Sequence, residues 1–210
     1  LFFVCFTYVE VLDKSNYLNH YYFVSILSFL FLLSSAHKED SYLPKLQLNL
    51  FRFMIGLVYF YAGLSKLNPD WILNAQPLAV WLPQHSSMPI IGELFKHKAT
   101  AYSFSWAGAI FDISAPFLLM SRFRGWFYPI VVIFHILTWL LFPIGIFPWV
   151  MICCATVFFP AETHRKFWDS FSDIKLEIPN PSNKVSPSSL AKIFATVFIS
   201  FQILFPLRSF

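Results

Sequence analysis

Leu57-Val58-Tyr59-Phe60-Tyr61-Ala62-Gly63-Leu64-Ser65-Lys66-Leu67-Asn68-Pro69-Asp70-Trp71 carries an apolar run straight into a polar turn. The run reaches back to Asn49. It therefore approaches the ~20 residues that cross ~30 Å of hydrocarbon as a helix. It closes on a cation, Lys66. A lysine at that place is either an anchor or a reagent. As an anchor, it extends its stem and leaves the ammonium at the interface. As a reagent, an amine in a dry pocket is poorly solvated when charged and becomes a usable base near neutral pH.

The rest of the chain has the same solvent in view. Of its 210 residues, 57% are hydrophobic and only 12% charged. A soluble domain carries roughly 25% charged residues, so lipid is the expected surrounding. The net charge of +4 is scattered, with no Lys/Arg block and no interleaved aromatics suited to nucleic acid. The three cysteines make no C-x-x-C pair, and the six histidines are dispersed without H-E-x-x-H or Cys/His spacing. No metal site is expected from that pattern. There is no G-x-S-x-G, P-loop or G-x-G-x-x-G, so the common soluble-enzyme chemistries have no footing.

About seven apolar segments predict an all-α, multi-pass transmembrane bundle: residues 1–12, 19–36, 49–65, 101–120, 125–142, 145–159 and 191–206. Only helices let a spanning segment satisfy its own backbone in lipid. The first segment reads as the tail of a truncated helix, and both chain ends read as cuts in a longer protein. Residues 1–210 are thus expected to be one transmembrane domain. Phe142-Pro143-Ile144-Gly145 is a minimal turn, predicting a tight hairpin between the fifth and sixth segments.

Two connections are long. Residues 67–100 carry Pro69, Pro77, Pro83 and Pro89 between short apolar patches rich in Trp and Leu. These predict interfacial or re-entrant helices. Residues 160–190 are the most polar stretch and predict an exposed linker. With these spans, Lys14, Lys66, Lys96, Lys98 and Arg208 fall on one side, and the other ten Lys/Arg on the opposite side. The richer side is expected in the cytoplasm. Residues 160–190 then lie inside, and Lys66 faces the periplasm or lumen.

Three polar residues stand within or at the ends of the spans. His20 opens the second segment, on Lys66's side. Asp112 lies mid-span in the fourth, and His135 lies in the fifth, toward the outer end. Each has a plain packing explanation: Asp112 bonded to a neighbouring helix, His135 to a backbone carbonyl. Together they suggest an outward cavity lined by Lys66, His20 and His135, a base with hydrogen-bonding partners. The tryptophans fall mostly near predicted interfaces, as an aromatic belt does.

The opening stretch, extended back through Ile55-Gly56, resembles the vitamin K-dependent gamma-carboxylase family, whose membrane part is called the HTTM domain. The resemblance continues through Gly108-Ala109-Ile110-Phe111-Asp112-Ile113-Ser114-Ala115-Pro116-Phe117-Leu118-Leu119. It is strong again at Phe134-His135-Ile136-Leu137-Thr138-Trp139-Leu140-Leu141-Phe142-Pro143-Ile144-Gly145-Ile146-Phe147-Pro148-Trp149. Asn19-His20-Tyr21-Tyr22 resembles the family's Asn-His motif.

The resemblance implies that Lys66 is the base toward vitamin K hydroquinone. Oxygen then turns the deprotonated hydroquinone into its epoxide by way of a strong base. That base removes a glutamyl gamma proton, and the carbanion captures carbon dioxide. His20 and His135 fall on supporting histidines. Asp112, with Asp70 and Trp71 of the opening stretch, are candidate supports around them. The family's Lys-Lys pair is here Ser65-Lys66. Implied partners are the lipid bilayer and a glutamyl peptide or protein. The family's following extramembrane β region, which helps hold that peptide, is not in this sequence. Two other readings use the same segments: a quinone- or lipid-binding scaffold without catalysis, and a transporter. A transporter would call for paired broken helices at the midplane, and no such internal repeat is evident.

Overall fold

A computed structural model describes residues 1–12, 19–34, 44–171 and 187–207. Its elements in chain order are α1 (Phe2–Leu12), α2 (Asn19–Leu33), α3 (Lys45–Ser65), α4 (Pro69–Asn74), α5 (Leu78–Trp81), α6 (Lys98–Met120), α7 (Arg124–Leu141), α8 (Phe147–Ala155), α9 (Ala161–Asp169) and α10 (Ser189–Leu207). Short 3-10 turns occupy Leu82–His85, Gly92–Lys96 and Thr156–Phe158. Among the described residues there is no strand.

Every apolar segment of the sequence is helical where described. Among the described residues three helices, α3, α6 and α7, are long and apolar enough to cross a membrane. The other four segments are shorter apolar stretches, Phe2–Leu12, His20–Leu33, Phe147–Phe158 and Ser189–Phe205. Of the about seven apolar segments expected, three are candidate spans by length and composition among the described residues. In the sixth segment α8 ends at Ala155 and gives way to the 3-10 turn.

The chain divides into two compact units, Leu1–Met54 with Thr156–Ser209, and Ile55–Ala155. In the first, α1 packs on α2 through the Phe3–Phe29 and Phe6–Tyr21 ring pairs. Glu10 is buried on α1 and accepts a 2.6 Å hydrogen bond from the Ser25 hydroxyl of α2. The Tyr22 hydroxyl pairs with the Gln202 side chain of α10. The polar stretch 160–190 opens with a helix, α9, whose Phe167 and Trp168 are exposed beside Arg165 and Lys166. Residues 172–186 of that stretch lie outside the described residues.

The second unit is built on α6 and α7. The α7–α8 hairpin forms as its turn predicts, with Gly145 at φ +63°, where a side chain would be strained. The 67–100 connection folds into short helices rather than loops. Their apolar residues Ala75, Leu78, Leu82 and Phe95 bury against Ala101 of α6 and Leu141 of α7. That small core sets one end of the cavity described next.

Candidate functional site

The site starts from a glycine. A Cβ on Gly63 would sit 2.5 Å from the Ile113 side chain and 2.8 Å from the Ile113 backbone nitrogen. Only a hydrogen there lets α3 and α6 touch backbone to backbone, as small residues do between membrane helices. The contact lies beside Asp112, one turn before Lys66 emerges from α3. Gly63→Ala is therefore expected to wedge the two helices apart and cost about 1–3 kcal/mol, the usual range for overpacking. Thermal unfolding of the detergent-solubilised protein measures it; an unchanged midpoint would show that the contact can relax.

With the helices in contact, the Lys66 ammonium reaches Asp112 Oδ2 at 2.6 Å. It also donates to the Ala62 carbonyl at 3.1 Å and stands over the Trp71 ring, 5.1 Å from the centroid. The side chains are 19% exposed for Lys66 and 5% for Asp112. The anchor reading needs the ammonium among headgroups. Here it turns back to a buried carboxylate on a neighbouring helix. An ion pair this far out of water stands only with close geometry and further hydrogen bonds, and Lys66 has both.

The turn after Lys66 holds Trp71 in place. The Asn68 side chain caps both ways: its amide donates to the Ser65 carbonyl, closing α3, and its oxygen accepts from the Trp71 backbone N–H, opening α4. Pro69 follows at the first helical position, where its missing N–H costs nothing. The last carbonyls of α4, without partners in so short a helix, are taken by side chains of α6. Ser105 bonds the Trp71 carbonyl, Trp106 the Ile72 carbonyl and Tyr102 the Leu73 carbonyl. The Trp71 indole returns a bond to the Ser105 carbonyl. Asp70 is exposed, bonds Asn74 and serves the first turn of α4 rather than the cavity.

Lys66, Asp112 and Trp71 line a cavity of about 580 Å³ together with Tyr59, Phe134 and His135. Its wall is otherwise almost wholly apolar. His135 is buried on α7 and its Nε2 meets the Tyr59 hydroxyl at 2.8 Å, a side chain rather than a backbone carbonyl. Phe111 stacks on Phe134 and Phe127, closing the wall behind that pair. Lys66 and His135 thus open on one cavity. His20 lies on α2 in the first unit, half-buried and edge-on to Tyr21. Ser65, the departure from a lysine pair, is exposed and bonds back to the Ala62 carbonyl. No described group of three or more His, Cys, Asp or Glu could hold a metal ion.

Two contributors carry no mark of their own in the sequence: Tyr59 is one of many aromatics in an apolar run, and Gly63 is a small residue within it. Tyr59 and Ala62 lie one helical turn apart, and Lys66 one further turn on, a 3–4 spacing that puts them on one face.

The HTTM domain family model matches residues 1–162. No solved structure matches the chain.

Proposed function

We propose, since this chain belongs to the HTTM domain family with which the vitamin K-dependent carboxylases are associated, that its second unit is the core of a membrane-embedded gamma-glutamyl carboxylase. The observation that carries the reading is the Lys66–Asp112 pair, a pair of opposite charges in an apolar, aromatic cavity. A pocket of this volume lies within the ~300–1,000 Å³ of small-molecule sites. The residues fit a hydroquinone: aromatic faces of Trp71 and Phe134 for the ring, and Lys66 with Asp112 for a ring hydroxyl. Bound there, reduced vitamin K supplies, with oxygen, the strength needed to remove a glutamyl gamma proton so that carbon dioxide can add.

The chain's own residues supply the rest. Lys66 receives the hydroxyl proton. Its position over Trp71 and on the Ala62 carbonyl fixes the nitrogen where the ring can meet it. The His135–Tyr59 bond presents a second hydrogen-bonding point on the same cavity. His20 enters the proposal on its Asn-His motif. The apolar wall keeps water from the reacting groups, which strengthens each polar contact inside. A scaffold that only holds a quinone or lipid would use the same cavity but leave the ion pair without a task.

The test is direct. Membranes containing the full gene product, given vitamin K hydroquinone, oxygen, carbon dioxide and a glutamyl peptide, should form vitamin K epoxide and gamma-carboxyglutamate. Quinone binding without either product would return the protein to the scaffold reading. The proposal also places the cavity mouth outside the cytoplasm. Single cysteines at Ser86 and Ser182 distinguish the sides with a membrane-impermeant thiol reagent on intact cells. Ser86 should label and Ser182 should not; the reverse pattern inverts the topology.

A further inference from the structure

The ion pair has a chemical consequence: a lysine paired with a carboxylate as an ammonium has no nitrogen lone pair free. It accepts a proton only as it hands one on. Lys66 Nζ and Asp112 Oδ2 are 2.6 Å apart, the distance of a short charge-assisted hydrogen bond. The acceptor is buried, and α3 and α6 are locked together beside it at Gly63.

We infer that Asp112 is the proton store of the site: a ligand hydroxyl gives its proton to Lys66 as Lys66 gives one to Asp112 Oδ2. This inference rests on the carboxylase reading for the identity of the ligand, but not for the transfer itself. The step balances. The ligand O–H bond breaks, one N–H forms on Lys66 and another breaks, and an O–H forms on Asp112. Before it, a neutral ligand faces an ammonium–carboxylate pair. After it, the ligand oxyanion faces the same ammonium, and Asp112 is a neutral acid. The site carries no net charge at either stage, and the new anion appears next to a cation already in place. In an apolar cavity that is the inexpensive course, since an uncompensated charge is poorly tolerated there. Without Asp112 the lysine would have to start as a free amine. The pair lets it start and finish as ammonium. Asp112 thus acts through Lys66, fixing both its place and its proton.

Two readouts besides turnover test this. The first uses para-nitrophenol, whose absorbance reports loss of the hydroxyl proton. The wild-type protein in detergent should ionise the bound probe at a pH where it stays neutral in empty micelles. Asp112→Asn, of the same size and still able to accept a hydrogen bond, should bind the probe, and whatever ionisation remains there is by Lys66 as a free amine. Asp112→Glu should restore ionisation at least in part, which a purely packing role would not grant to the longer side chain. The second is infrared difference spectroscopy: probe binding should raise a protonated-carboxyl band in the wild type that is missing in Asp112→Asn. In turnover, Asp112→Asn should fall ~10²–10⁴-fold, the range for a lost proton acceptor. Should Asp112→Asn fail to fold, the wild-type band and the Asp112→Glu absorbance still decide. Ionisation of the probe by the wild type with no carboxyl band would overturn the inference and leave Lys66 as a free-amine base. Wild-type protein that ionises the probe through Asp112 but makes no epoxide would keep the proton store and sink the carboxylase reading instead.

Discussion

Lys66→Ala is expected to abolish both vitamin K epoxide and gamma-carboxyglutamate, because the two products share one first step. If no proton leaves the hydroquinone, neither its oxidation nor the glutamate chemistry begins. Loss of a positioned general base typically costs ~10²–10⁴ in rate, so epoxide should fall to near the assay's floor. Truncation to Ala also opens space beside Trp71 and Ala62, next to the cavity. A small amine such as methylamine can enter it and meet Asp112. Added amine should therefore restore part of the epoxide signal. Rescue should rise with the concentration of added amine, because the missing function is proton transfer. Folded Lys66→Ala that makes epoxide at the wild-type rate would exclude Lys66 from the chemistry.

The sequence made the helices legible because each is a run of apolar residues bounded by polar or proline-rich punctuation. The turn at Phe142-Pro143-Ile144-Gly145 could be placed to within about two residues for that reason, α7 ending at Leu141 and α8 starting at Phe147. It could not tell which of those helices are long enough to cross a membrane. The sixth segment, for one, is helical only over Phe147–Phe158, and its last three residues turn as a 3-10 helix. In the site, Lys66, Asp112 and His135 could be singled out because a charge or imidazole in an apolar run is expensive and demands a reason. Their partners could not. That Asp112 answers Lys66, and that His135 answers Tyr59 rather than a backbone carbonyl, depends on the close approach of α3 to α6 at Gly63 and on which faces of α3 and α7 meet. Hydropathy assigns Trp71 to a belt at the membrane surface just as readily as to a cavity wall. The bonds from Ser105, Trp106 and Tyr102 to the end of α4 decide it, and they join residues about thirty positions apart.

Replacing both members of the pair, Lys66→Met with Asp112→Leu, is expected to give a protein more stable than Lys66→Met alone and equally unable to form epoxide. The single variant leaves a carboxylate 5% exposed without its cation. Breaking a buried pair in that way costs about 3–5 kcal/mol. The double variant has no charge left to strand. Apolar side chains of similar volume commonly match or exceed a buried pair, by about 1–4 kcal/mol in favourable cases. Thermal unfolding in detergent, run beside the epoxide assay, separates the two properties. Stability recovered with activity still absent would mean that the fold does not need the pair and that the chemistry does. A double variant less stable than either single one would reverse the conclusion: Lys66 and Asp112 would then be holding α3 to α6, and the cavity would be shaped by the ion pair rather than by Gly63.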